Sequence, residues 1–211
     1  MIKVHHLNNS RSQRILWLLE ELGVAYEIEH YQREATNRAP ESLKAVHPLG
    51  KSPVITDGKR VLAESGAIID YIIRHYGGGK LVPPAGSDAY EDYAEMMHYA
   101  EGSAVVPVLF DLFLGFLPEK TFLNLLVQEE ITKQLRYLDA RLDERPFIVG
   151  NELTGADVQV GFVLEFARGR GLLGDYPRLV AYVDRLQARP AYKRALERGG
   201  PYQLAGFGSA D

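Results

Sequence analysis

The sequence predicts an α/β domain followed by an all-helical domain, on three observations. Residues 1–77 alternate short apolar runs with strand period and longer runs with helical period. The stretch "GGGKLVPPAGS" (77–87) then concentrates Gly and Pro as a linker does. Beyond it the apolar residues recur only at helical spacing. We therefore expect a first domain over residues 1–79, a linker over 80–88 and a helical domain over 89–211.

"IKVHHL" (2–7) reads as the first strand. Ile15, Leu18, Leu19 and Leu22 then follow the 3.6-residue spacing of a one-sided helix that Gly23 stops. "AYEIEHY" (25–31) alternates like a half-buried strand, and a short helix is expected around "APESLKAV" (39–46). "PVIT" (53–56) and "RVLA" (60–63) flank Asp57-Gly58, a hairpin dipeptide, and "SGAIIDYIIRHYG" (65–77) closes the domain as a helix. The order is β-α-β-α-β-β-α. In the second domain, "DAYEDYAEMMHYAEGSAVVPVLF" predicts a helix kinked at Pro107. Ile131, Leu135, Leu138 and Leu142 stripe the next helix, two more are expected over 154–168 and 176–188, and a short one after Pro190. Thr154 and Asp157 form a capping-box pair, with Leu153 placed to staple onto Val158.

Composition excludes several classes. The 211 residues are 46% hydrophobic, enough for one large core or two modest ones. The formal net charge of −4 argues against a nucleic-acid partner. "AVVPVLFDLFLGFL" (104–117) is the most apolar stretch, shorter than the about 20 residues of a membrane span and interrupted by Pro107 and Asp111, so we read a buried helix end and no membrane partner. No secretory h-region opens the chain, which points to a cytoplasmic protein. Zero cysteines exclude disulfides, thiolate metal sites and a cysteine nucleophile, so any thiol chemistry uses a thiol from outside. His5 and His6 point to opposite faces of a strand and the other histidines are scattered, so no metal site is expected.

Three polar stations remain. "SRSQ" (10–13) reads as a capping box with Ser10 as the N-cap and Gln13 reaching back. The same junction of strand and helix presents exposed N–H groups and a positive dipole end, which favour an anion. A serine there can accept a backbone N–H and still donate its O–H to a bound thiolate. "HPLGKSPV" (47–54) lacks the first Gly of a phosphate-binding loop, and Pro53 opens a strand where that loop needs a helix. Ser52-Pro53 is instead a candidate cis bond that turns the Ser52 backbone outward as an edge for an extended peptide. Glu64 and Ser65 open a helix either as an ordinary first-turn acid and N-cap or as a station for an ammonium and a carboxylate. Together the three suit a short zwitterionic peptide.

Four segments, "NNSRSQRILWLLEELGVAYE" (8–27), "HPLGKSPVI" (47–55), "LAESGAIIDYI" (62–72) and "FIVGNELTGADV" (147–158), make the chain resemble the glutathione transferase family over nearly its whole length. Its version of them looks most like the bacterial and fungal Gtt-type group. The resemblance implies a thioredoxin-like N-terminal domain, a helical C-terminal domain, a homodimer and glutathione as co-substrate, with no metal. It implies that Ser52, before a cis Pro53, pairs with the cysteinyl unit and that Glu64 and Ser65 hold the γ-glutamyl end. Lys51, with His47 or Arg38, lies near the glycine carboxylate. Ser10 matches the family serine at the start of the first helix, and Asn9 precedes it where some relatives place the critical group, so either is the thiolate donor. No tyrosine ends the first strand, and the cysteine-type members are excluded by composition. The implied reaction is addition of the thiolate to apolar electrophiles. A glutathione-dependent peroxidase or disulfide reductase and a non-catalytic ligand-binding member of the fold are the alternatives. Tyr99, Phe110, Phe113 and Phe116, with Tyr202 and Phe207, are the expected aromatic lining of the electrophile pocket or else core.

Overall fold

The computed structural model describes residues 1–200 and 202–204. The chain divides into two compact units, the first comprising Met1–Leu81 with Gln187–Gln203 and the second built on Val82–Leu186. The first unit holds a four-stranded sheet of order β2-β1-β3-β4, with β1 Ile2–Leu7, β2 Tyr26–Tyr31, β3 Val54–Asp57 and β4 Arg60–Ala63. β1 pairs in parallel with β2 and antiparallel with β3, and β3 pairs antiparallel with β4. A parallel pair needs a long crossover, and α1 (Ser12–Leu22) supplies it. Its residues from Ser12 to Leu19 are all buried, and it stops at Gly23, whose φ of 67° is left-handed and so suits glycine. The short α2 (Ser42–Val46) and α3 (Ser65–Tyr76) complete the order expected from the sequence.

The helix α9 (Pro190–Gly199) also belongs to this unit, whereas the sequence suggested a helical domain running without interruption from 89 to 211. Charge and shape explain its return. Arg189 pairs with Glu21 at 2.5 Å, Arg194 and Arg198 pair with Glu20 at 2.8 and 3.0 Å, and Tyr192 packs edge-on against Trp17 with ring centroids 5.4 Å apart. At Gly199 a Cβ would lie 2.8 Å from Leu16 Cδ1 and 3.3 Å from His6 Nε2, so glycine permits the close approach of α9 to α1 and β1.

The second unit contains α4 (Asp88–Tyr99), α5 (Val105–Leu114), α6 (Phe122–Leu142), α7 (Gly155–Gly169) and α8 (Pro177–Gln187). The irregularity expected at Pro107 falls earlier, as a π-helical turn over Ala100–Ala104, while Pro107 sits in the first turn of α5, where a missing N–H costs little. The stretch 104–117 is not simply a buried helix end. Val105, Val108 and Leu112 face inward, but Val106, Phe110, Phe113, Phe116 and Leu117 are exposed. The predicted α6 stripe of Ile131, Leu135, Leu138 and Leu142 is buried. Asp157 caps α7 through the Thr154 N–H at 2.7 Å, and it also accepts from the Ile148 N–H at 2.8 Å and the Tyr182 hydroxyl at 2.7 Å. No helix among the described residues is long and apolar enough to cross a membrane.

Candidate functional site at the start of the first helix

Strand register brings the three polar stations to one end of the sheet. Val54 lies opposite both His5 and Ala63. The residues beyond these partners are therefore neighbours: the β1–α1 junction, the Ser52-Pro53 pair before β3, and Glu64-Ser65 after β4. The Ser52-Pro53 bond is cis. Ser10 Oγ lies 3.3 Å from Ser52 Oγ, and Ser52 Oγ donates its own hydrogen to the His5 carbonyl at 3.2 Å, so two of the stations touch.

Ser10 is buried, 6% exposed, but it is not the N-cap that its spacing to Gln13 suggested. The helix starts at Ser12 with Arg11 in the cap position and no side-chain capping bond. A tight turn, in which the Gln13 N–H donates to the Ser10 carbonyl at 3.2 Å, precedes the helix and delays it. Gln13 cannot reach back. Its side chain is buried against α9, where a Cβ on Gly199 would lie 2.5 Å from Gln13 Oε1, and its amide has no hydrogen-bond partner among the described residues. Ser10 Oγ instead accepts from the Ser12 N–H at 3.2 Å and lies 2.8 Å from Ser12 Oγ. The serine thus keeps the backbone bond expected of it, beside the dipole end of an 11-residue helix.

Asn9 has a left-handed φ of 49°, and its Oδ1 accepts from the Gln203 N–H at 2.7 Å. Sequence reasoning missed the residue that holds this junction. Arg33 donates through Nε to the Asn8 carbonyl at 3.2 Å and through Nη2 to the Asn9 carbonyl at 3.1 Å, while its own N–H is bound by Asn8 Oδ1 at 2.8 Å. Burial, and then the charge of Arg11, hold the Arg33 guanidinium below its usual pKa. No motif announces Arg33, because its partners are backbone carbonyls. Ser12 and His6 were missed for a similar reason: Ser12 Oγ lies 2.8 Å from His6 Nδ1, a contact made only by folding.

Glu64 is exposed with a φ of 71°, and Ser65, the first residue of α3, is 3% exposed. A non-glycine residue at such a φ stores about 1–3 kcal/mol and often marks a working site. Lys51 is exposed and Pro53 buried. His47 ends α2 with its Nδ1 accepting from the Leu49 N–H at 3.4 Å, and Arg38 is an exposed side chain whose carbonyl accepts from the Glu34 N–H. Of the expected aromatic lining, Tyr99 turns toward α6, donating to Gln134 at 2.5 Å and packing against Tyr137 with centroids 5.0 Å apart. Phe110, Phe113 and Phe116 are 54%, 57% and 57% exposed, so they are not core. Tyr202 is half-buried, and Phe207 lies outside the described residues.

A central strand with one parallel and one antiparallel partner, a cis-proline turn entering the hairpin, and a separate helical unit define the thioredoxin-like class with an all-helical companion. Comparison with known proteins narrows the class. The family model described as glutathione S-transferase, N-terminal domain, matches residues 1–74, and that for the C-terminal domain matches residues 117–198. Glutathione S-transferase 3 of Schizosaccharomyces pombe is 34% identical over 94% of this chain and 88% of its own. The crystal structure of a glutathione S-transferase from Actinobacillus pleuropneumoniae superposes with a TM-score of 0.90 at 35% identity, covering 99% of this chain and 98% of the other. A sphingomonad glutathione S-transferase complexed with glutathione superposes with a TM-score of 0.76 at 25% identity, covering 94% and 98%. This chain belongs to the glutathione S-transferase family.

Proposed function

We propose that the protein is a glutathione transferase that joins the thiolate of glutathione to electrophilic, largely apolar small molecules. The observation that carries this reading is the 3.3 Å contact of Ser10 with Ser52 at the amino end of α1, at the sheet end shared with Glu64 and Ser65. Glutathione lies along that end. The backbone of Ser52 before Pro53 pairs with its cysteinyl unit, Glu64 takes the ammonium and Ser65 the carboxylate of the γ-glutamyl end, and Lys51, with His47 or Arg38, meets the glycine carboxylate. The sulfur then faces the start of α1.

Ser10 is the thiolate donor in this reading, with Asn9 beside it. A charge-assisted hydrogen bond is worth about 1.5–3 kcal/mol, and each unit of thiol pKa lowering needs about 1.4 kcal/mol. One donor together with the helix dipole therefore suffices to raise the thiolate population near neutral pH. The thiol proton passes to solvent when the thiolate forms; the sulfur then makes the carbon–sulfur bond with its own electron pair while an aryl halide loses halide with the bonding pair, so no general base on the enzyme is needed. Family membership supports the further elements of the proposal, a homodimer working in the cytoplasm in detoxification.

Titration of glutathione into the protein, following thiolate absorbance in the ultraviolet against pH, tests site and mechanism together. The bound thiol is expected to ionise at lower pH than free glutathione. Ser10→Ala is expected to slow addition to a model aryl halide about 10-fold or more, by the loss of one charge-assisted bond, with little change in melting temperature. Asn9→Ala provides the comparison. Full activity in both variants would refute the assignment of the donor.

A further inference from the structure

Beneath Ser10 lie two buried side chains to which the proposed reaction assigns no role, Ser12 at 0% and His6 at 2% exposure. Ser12 Oγ is 2.8 Å from Ser10 Oγ, 2.8 Å from His6 Nδ1 and 3.3 Å from the Leu7 carbonyl oxygen. A hydroxyl has one hydrogen to give, so the direction of every bond in this chain is set at its inner end. There the second ring nitrogen of His6 faces α9 and hydrogen-bonds the Gly199 backbone. A carbonyl only accepts, so Nε2 carries the hydrogen and Nδ1 of the neutral ring is bare. Burial, reinforced by His30 on β2, keeps the ring neutral. Each hydroxyl also has a second and more distant acceptor, the Leu7 carbonyl for Ser12 and Ser52 Oγ for Ser10, both at 3.3 Å. The inner acceptors at 2.8 Å are closer, so Ser12 donates to Nδ1 and Ser10 donates to Ser12.

We propose that His6 and Ser12 are positioning residues that hold the Ser10 hydroxyl hydrogen inward, so that Ser10 donates to a bound sulfur only by giving up its bond to Ser12. The inference rests on the reading of Ser10 as the thiolate donor. It gives the chain a definite consequence: the inner pair subtracts from the stabilisation that Ser10 offers the sulfur, and so tunes how nucleophilic and how ionised the bound thiol is. The chain is not a route for the thiol proton. An imidazole whose pKa is pushed down to about 4 by burial and by His30 does not take a proton from a thiol that ionises near about 8.5 in water.

The test is the ultraviolet thiolate titration of glutathione bound to the full chain. Ser12→Ala removes the inward acceptor and leaves the Ser12 backbone N–H in place. The ratio of thiolate to thiol at a fixed pH below the midpoint is expected to rise about two- to ten-fold, the range of one neutral hydrogen bond. His6→Gln preserves an amide donor for Gly199 while deleting the Nδ1 acceptor, and is expected to shift the ratio in the same direction; it serves where Ser12→Ala does not fold. In a Ser10→Ala background neither substitution should change the ratio, a dependence that a purely structural role would not produce. An unchanged or lower ratio in both single variants, or an equal shift with and without Ser10, overturns the inference alone. Failure of the wild-type chain to bind glutathione overturns the functional reading with it. Nitrogen NMR of His6 gives a second readout: a hydrogen on Nδ1 in the free protein overturns the inference.

Discussion

His6 carries a stability consequence separate from its place under Ser10. Its pKa is lowered to about 4, first because burial removes the solvent that would stabilise the imidazolium and next because His30 lies with its ring centroid 5.7 Å away; the bond to the Gly199 backbone opposes both. An unfolded histidine titrates near about 6.5. Between the two values the unfolded chain binds more protons than the folded one, so folding stability falls as pH drops through that window. The contribution of this one residue reaches about 2–3 kcal/mol by about pH 4.5. Urea unfolding of the wild type and His6→Gln at about pH 7 and about pH 4.5 should show the variant losing less stability on acidification by about that amount. Equal losses in the two chains would mean that His6 is protonated in the folded state. The same residue shows what a sequence hides: "HH" at positions 5 and 6 is visible, but the neutrality of the second histidine is made by α1 and α9 closing over it.

At the scale of elements, periodicity and punctuation made most boundaries legible. Gly23 ends α1, Gly58 with a φ of 60° turns the β3–β4 hairpin, and the cap at Thr154 opens α7 where the spacing placed it. Features that arise from tertiary contact were not legible. The π-helical turn over Ala100–Ala104 has no compositional mark, and the Ser10 capping box was displaced by a tight turn and by the burial of Gln13 against Gly199. Of the candidate site, the residue types at the three stations could be read, but not the link from Ser10 to His6 or the hold of Arg33 on Asn8 and Asn9. The α7 cap shows the same division. Sequence spacing pairs Thr154 with Asp157, and loss of a cap alone costs about 0.5–2 kcal/mol. Asp157 also satisfies the Ile148 N–H and the hydroxyl of Tyr182, both residues fully buried. Each donor left without a partner adds about 1–3 kcal/mol. Asp157→Ala should therefore cost about 3–5 kcal/mol in chemical denaturation, against about 0.5–2 kcal/mol for Thr154→Ala. Equal losses would show that the two extra bonds contribute nothing.

At the scale of the whole chain, the first unit is discontinuous: Met1–Leu81 is completed by Gln187–Gln203. The proposed glutathione-binding end thus depends on residues more than a hundred positions further along the sequence. α9 and Arg189 just before it supply Tyr192 to cover Trp17, three arginines to neutralise Glu20 and Glu21, and the Gly199 backbone that fixes the ring of His6. The arginine pairs are partly exposed, so their ionic share is small; the apolar cover over α1 is the larger effect. Trp17 is the one tryptophan in the sequence, 2% exposed, with its Nε1 donating to Glu21 Oε1 at 2.8 Å, and it reports on this cover directly. A chain ending at Leu186 should show Trp17 emission shifted toward that of a solvated indole and should lose thiolate formation by glutathione, although every residue of the three polar stations is retained. Adding back a peptide of residues 187–203 should restore part of the emission change in proportion to its concentration, as mass action requires. Unchanged emission from the truncated chain would show that Met1–Leu81 closes its own core, and that α9 is an appendage to the site and no part of its support.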